Sequence, residues 1–310
     1  MSVEEELSRL SPDKDTILTI GVFDGVHLGH KRLIAELIGR AGRLNLLSGV
    51  VTFDPHPQQV LLPRNRLPFL TGLEQRKALL KNEGVKSVIV LPFSRELAQL
   101  SAREFIKLLK DYLSLKELVI GPDFTLGRNR EGDVDNLRKL GKAMGFTVTV
   151  VPPVTINGET VSSTAIREAL AGGDLEKASS LIGRPFSLSG KVVRGEGRGA
   201  KLDYPTANLE IEPEQALPAE GVYASWAYIA GRAYKSVTNI GRRPTFGVGK
   251  SLVEVYILGY RGDLYGQELK IDIIEKLRGE KQFDSAEALR QQIARDVEQG
   301  RAVLSVKCRN

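Results

Sequence analysis

The chain has 310 residues, 42% hydrophobic and 26% charged, with a formal net charge of +6. That length accommodates two domains, and no apolar run approaches the roughly 20 residues needed to span a membrane. The single cysteine, Cys308, excludes an intrachain disulfide or Cys-ligated zinc and suits a reducing, cytoplasmic setting. The acidic start MSVEEELSRL lacks the apolar core of a signal peptide. Divided at Gly183, the charge is 24 Lys+Arg against 22 Asp+Glu (+2), then 20 against 16 (+4). Neither part carries a dense basic block, so phosphorylated small ligands are expected rather than nucleic acid.

The first apolar run, 17–20, leads into Gly21-Val-Phe-Asp-Gly-Val-His-Leu-Gly-His30 and then into a helical pattern over 31–38. A strand, a glycine-bearing turn and a helix start bring backbone N–H groups and the positive helix end to one point, where a phosphate can sit. His27 and His30, three residues apart, can face the same anion. Gly21 and Gly25 permit turn conformations, and Gly29 allows close backbone approach. The plainer reading makes Phe23 core, Asp24 and Gly25 a turn, and the histidines surface residues of the first helical turn. The spacing resembles the H-x-G-H signature of the adenylyl- and cytidylyltransferase superfamily.

Apolar runs at 17–20, 49–53, 87–91, 117–120 and 147–151 alternate with helical patterns at 72–84, 101–112 and 133–145. That rhythm predicts a doubly wound α/β domain with a parallel sheet. Val51-Thr-Phe-Asp-Pro-His-Pro57 ends one strand in a proline-stiffened loop at the carboxyl edge, where ligands of such sheets bind. Residues 121–132, with Asp123, form a glycine-bearing turn after another strand. Val161-Ser-Ser-Thr-Ala-Ile-Arg167 puts Ser163 and Thr164 at a helix start, to cap it or meet an anion, with Arg167 one turn on. All three histidines, His27, His30 and His56, fall inside these motifs. The stretch from 171–174 to 183–185 reads as a helical linker.

Beyond it, alternating strands at 187–194, 221–230, 233–238, 251–260 and 268–275, then a helix from Ser285 to about Val303, predict a small β-barrel with a C-terminal helix. The glycine-rich loop 190–199, with Gly195 and Gly197, reads as a phosphate-binding loop or only as a hairpin. Thr206 and Asn208, two apart on an extended segment, point to one side and can offer two oxygens to Mg²⁺ beside a phosphate. Glu254 interrupts an apolar strand and is the best available base for a hydroxyl in a half without histidine, or else a surface-facing strand residue.

The order of G-V-F-D-G-V-H-L-G-H, V-T-F-D-P-H-P, G-P-D-F-T-L-G-R, V-S-S-T-A-I-R, G-R-G-A-K-L-D-Y-P-T-A-N-L, T-N-I-G-R-R-P-T-F-G and V-E-V-Y-I-L resembles the prokaryotic bifunctional riboflavin kinase/FAD synthetase family over about residues 15–305. The resemblance implies a Rossmann-like nucleotidyltransferase domain at 1–183, converting FMN and ATP to FAD and pyrophosphate, and a kinase barrel at 184–310, converting riboflavin and ATP to FMN and ADP. It implies Mg²⁺ for both, His27 and His30 at the adenylyl transition state, and Glu254 as base. Gly21, Phe23, Asp24, Gly29, Asp123, Ser163, Thr164, Arg167, Gly195 and Gly197 would serve ATP, while His56, Pro57 and Arg278 would serve flavin. It also implies a cytoplasmic monomer or weak homo-oligomer that binds neither nucleic acid nor membrane. Thr125, Leu126, Tyr256 and Asp203-Tyr204 depart from the usual family pattern and bear on rates and flavin affinity. The competing expectations are another nucleotidyltransferase with a substrate-binding β domain, or a flavin- or RNA-binding regulator on a degenerate scaffold.

Overall fold

The computed structural model describes residues 3–9, 12–62, 67–195, 197, 199, 202–242 and 251–307, with backbone only at Arg242 and Ser251. The chain divides into two compact units, Met1–Ser163 and Thr164–Asn310. The first is built on β1 (Thr16–Ile20), β2 (Leu47–Asp54), β3 (Ser87–Pro92), β4 (Leu115–Ile120) and β5 (Thr147–Val150). They pair in parallel in the order β3-β2-β1-β4-β5, as the alternating pattern predicts. All five residues of β1 are buried, as expected of a central strand covered on both faces. Chain order reverses direction at β1, between β2 and β4. The crevice at the carboxyl ends of those strands is where a ligand of this fold sits.

Two apolar cores flank the sheet. On one side Ile34, Leu37 and Ala41 of α2 (Leu28–Leu44) pack with Ile17, Val50 and Val119. On the other Phe105, Ile106 and Leu109 of α6 (Ala102–Leu113) pack with Leu18, Val51 and Leu118. The spacings, i, i+3, i+7 in α2 and i, i+1, i+4 in α6, keep each trio on one helix face turned to the sheet. Ser101 and Glu104 close a reciprocal capping box at the start of α6, satisfying two otherwise orphaned amides. The first unit also contains α1 (Val3–Arg9), α3 (Pro57–Leu61), α4 (Leu73–Asn82), α5 (Arg95–Gln99), α7 (Val134–Met144) and the hairpin β6 (Thr155–Ile156) and β7 (Glu159–Thr160).

Next in the chain come α8 (Ser163–Gly172) and α9 (Leu175–Ile182); the latter starts on an Asp174 cap, ends at left-handed Gly183, and packs on β8 and β13 of the barrel. The barrel comprises β8 (Phe186–Val193), β9 (Thr206–Glu210), β10 (Gly221–Ile229), β11 (Arg232–Arg242), β12 (Ser251–Ile257) and β13 (Glu268–Arg278), closed in the order β10-β11-β12-β9-β8-β13. Closure leaves no strand edge unpaired. Its interior holds Val253, Val255 and Ile240 beside a fully buried hydroxyl cluster, in which Ser225 Oγ lies 2.8 Å from Ser236 Oγ and 2.7 Å from Thr238 Oγ1. Outside, α10 (Ala286–Val306) brings Val297 and Ile293 onto Val222 and Val237. Val237 therefore marks the outer face, and the strand period of two puts Asn239 and Gly241 on that same face.

Candidate functional sites on the parallel sheet and the barrel

The turn after β1 is held open by its own side chains. The Asp24 carboxylate accepts from Leu70 N at 2.8 Å and Thr71 N at 3.0 Å, Gly25 N donates to Thr71 Oγ1 at 3.0 Å, and Ser163 Oγ donates to the Asp24 carbonyl at 2.9 Å. Phe23 and Val26 sit at φ 55° and 41° beside Gly25 at 85°. A bulky or β-branched residue in that region costs about 1–3 kcal/mol, which persists where surrounding contacts over-determine the backbone. Asp24 and Ser163 thus shape the turn through these bonds.

The turn delivers the histidines. His27 is the N-cap of α2, its Nδ1 accepting from His30 N at 3.3 Å, and the two imidazoles stack with centroids 3.7 Å apart. Gly29 lies against the His27 ring, where a Cβ would stand 3.1 Å from Cε1. Phe23 tilts against His30 at 5.1 Å. Burial, reinforced by the neighbouring His27, holds His30 well below the usual imidazole range, so it is neutral at pH 7. Its Nδ1 is buried without a hydrogen-bond partner among the described residues. The native state therefore binds fewer protons than the unfolded chain once pH falls below the ordinary histidine value of 6.5. Stability is expected to fall on acidification through that window, by at most about 1.4 kcal/mol per pH unit for this one group. Thermal melts between pH 7.5 and 5 should show His30→Gln flattening that slope; an unchanged slope would refute the assignment.

Of the other expected residues, His56 and Asp123 follow the carboxyl ends of β2 and β4 in the first unit, while Thr164 and Arg167 belong to the second. After β2, His56 caps α3, its Nδ1 accepting from Gln58 N at 3.1 Å with Pro57 in the first turn. Asp123 is exposed in the turn after β4. Thr164 is exposed and Arg167 half-buried, one turn apart on α8. Not anticipated from sequence were Thr71 and Arg76. Arg76, on α4, is 4% exposed and donates Nη2 to the Phe53 carbonyl at 3.0 Å. Burial lowers its pKa, against the pull of Asp24 and Asp54.

On the barrel, register brings the second set together. Asn208 of β9 stands directly opposite Glu254 of β12, which stands opposite Asn239 of β11, while Thr206 pairs with Tyr256. In antiparallel ladders, opposite residues share a face. Thr206, Asn208, Glu254 and Asn239 therefore line one outer surface. A side chain on Gly195 would collide with the Asn208 amide, and one on Gly199 would stand 3.3 Å from Thr206 Oγ1, so these two glycines lie against the Asn208 and Thr206 side chains. Gly197 has φ 68°, a conformation that favours glycine. Asn208 Oδ1 is buried without a hydrogen-bond partner among the described residues, which fits an acceptor awaiting a cation. No group of three His, Cys, Asp or Glu able to hold a metal occurs among the described residues. Arg278 makes a bidentate pair with buried Asp296 of α10, Nη2–Oδ2 2.8 Å and Nε–Oδ1 3.0 Å, and donates Nη1 to the Gly279 carbonyl at 2.9 Å.

Residues 10–165 match the FAD synthetase family and residues 182–304 the riboflavin kinase family. The chain is 40% identical to the bifunctional riboflavin kinase/FMN adenylyltransferase of Pseudomonas fluorescens, covering 98% of each. It is 38% identical to the protein of the same name from Escherichia coli K12, covering 92% of each. A Streptococcus pneumoniae crystal structure described as a macrolide-efflux protein superposes with a TM-score of 0.88 at 30% identity, covering 97% of each chain. Among the described residues no helix is long and apolar enough to cross a membrane. With the parallel sheet, the closed barrel and both families matched in succession, the chain belongs to the bifunctional riboflavin kinase/FMN adenylyltransferase family.

Proposed function

We propose that the barrel transfers the γ-phosphoryl of ATP to the 5′-hydroxyl of riboflavin, and that the parallel-sheet unit transfers the adenylyl group of a second ATP to the FMN formed, releasing pyrophosphate. The observation that carries the first half is the β9–β12 register, with Glu254 opposite Asn208. That register supports the reading, because a carboxylate able to take the hydroxyl proton then stands beside two oxygens suited to a phosphate-bound cation, and phosphoryl transfer relies on such positioning and electrostatics. Glu254 takes the hydroxyl proton as its oxygen attacks the γ-phosphorus and ADP leaves. Gly195 and Gly197 let the loop backbone approach the nucleotide phosphates. Thr206 and Asn208 would hold Mg²⁺, which when bound supplies neutralisation of the phosphate charge.

For adenylyl transfer, the FMN phosphate attacks the α-phosphorus. His27, His30 and the first amides of α2 donate to the charge that develops there. Gly21, Phe23, Asp24, Gly29 and Ser163 form the nucleotide turn, Asp123, Thr164 and Arg167 serve the nucleotide and pyrophosphate, and His56 and Pro57 serve the flavin. We infer a cytoplasmic location, in keeping with a single cysteine and two ATP-consuming steps. Incubating the protein with riboflavin and Mg-ATP should yield FMN and then FAD by chromatography. Formation of neither would overturn the reading, and FAD from added FMN without any FMN from riboflavin would leave only the nucleotidyltransferase.

We assign the functional boundary between 183 and 184. A fragment of residues 184–310 is expected to make FMN unaided. Because α9 packs on β8 and β13 and buries Leu175, Leu181 and Ile182, a fragment beginning at Thr164 should melt several degrees higher. A folded shorter fragment, by circular dichroism, that binds flavin and Mg-ATP but makes no FMN would move the boundary.

A further inference from the structure

We propose that Glu280 is a further substrate-contacting residue of the barrel site, accepting a hydrogen bond from a secondary hydroxyl of the polyol chain whose terminal hydroxyl Glu254 deprotonates. The inference rests on the kinase reading above. Gly241 follows Asn239 by one strand period, so both lie on the outer face of β11, and Asn239 is directly opposite Glu254. A side chain on Gly241 would collide with the Glu280 carboxylate. The glycine is therefore the floor on which that carboxylate rests. Glu280 is exposed.

Its position is built from behind. Buried Asp296 fixes the Arg278 guanidinium, whose Nη1 binds the Gly279 carbonyl and orients the chain immediately before Glu280. Arg278, expected from the resemblance to serve flavin, thus acts through its neighbour as a positioning residue. The arrangement has two sides. On the β9 side of Glu254 stand Thr206, Asn208 and the glycine loop, suited to phosphates. On the β11 side stands Glu280, a second negative charge that repels phosphate and suits a neutral polyol. Two residues along a strand span roughly 6.8 Å, the reach of an extended five-carbon chain from its terminal hydroxyl to its inner ones.

Steady-state kinetics of the full chain tests this. In Glu280→Ala the riboflavin KM should rise about 10- to 100-fold, the loss typical of one hydrogen bond to a charged group. The ATP KM should hold, with the loss falling on riboflavin KM rather than kcat because the contact is equal in ground and transition states. With a flavin analogue bearing a plain 5-hydroxypentyl chain, which keeps the reacting hydroxyl and lacks the secondary ones, the variant and the parent should have the same KM. Gly241→Ala should reproduce the riboflavin defect and add nothing in the Glu280→Ala background. An unchanged riboflavin KM in Glu280→Ala, an equal defect with the hydroxypentyl analogue, or additive effects of the two substitutions would each overturn the proposal. Failure of the parent protein to make any FMN would instead overturn the kinase reading on which it rests.

Discussion

Glu254→Gln is expected to slow riboflavin phosphorylation by roughly 10²–10⁴-fold while FAD formation from supplied FMN continues at the parental rate. The substitution keeps the side-chain shape and its place opposite Asn208 and Asn239, and so removes the carboxylate proposed to accept the proton without disturbing the strand. Barrel stability should be nearly unchanged, because the residue lies on the outer face while Val253 and Val255 on either side form the buried interior. The measurement is FMN formation by chromatography at saturating Mg-ATP. FMN synthesis within a few-fold of the parent would reduce Glu254 to an ordinary strand residue. A loss of flavin binding instead of turnover would reassign it to substrate recognition.

His30→Ala should show the complementary pattern, with FAD formation from FMN and ATP falling by about 10²–10³-fold, comparable to losing one oxyanion donor, and FMN formation intact. The stack with His27 and the contact with Phe23 hold the ring in place, so no reorganisation is needed as charge develops at the α-phosphorus. Since burial and His27 keep His30 neutral, the role proposed for it is that of a hydrogen-bond donor rather than a cation. The adenylylation rate should therefore not require a protonated His30 and should persist above pH 7. A rate that fell in step with imidazolium loss between pH 6 and 8 would show that the cation is the working form. Equal loss of both activities in His30→Ala would break the assignment of the two reactions to separate units.

Much of this was legible because its causes are local. Strand, glycine turn and helix start stand next to one another in 16–44, so the turn and the place of both histidines at the helix start could be read directly. The alternation of short apolar runs with amphipathic helices announces a parallel sheet because each run must be covered on both faces. Thr206 and Asn208 share a face by the strand period alone, and β9 bears this out. Short elements escaped notice: α3 and α5 have five residues each, too few to display a period. The run 233–238 extends to Arg232–Arg242 because Arg232 and Gly241, outside any apolar pattern, are carried by pairing with β10 and β12.

Other features depended on contacts between distant parts of the chain. Asp24 fits an ATP-site pattern, but that its carboxylate would hold the amides of Leu70 and Thr71, 46 and 47 residues away, follows only from how α4 docks. Arg76 carried one faint signal, a charge four residues before buried Leu80 on the same helix face, yet its carbonyl partner on β2 had none. That Arg278 would pair with Asp296 of α10, 18 residues on, likewise follows only from how that helix packs on the barrel. The residue types and spacings of the two proposed sites are thus written in the chain, since backbone geometry over a few residues decides them. Which carboxylate serves structure, which faces substrate, and that Glu254 meets Asn208 from another strand are decided by tertiary register and burial, because those set the dielectric and the partners each charge finds.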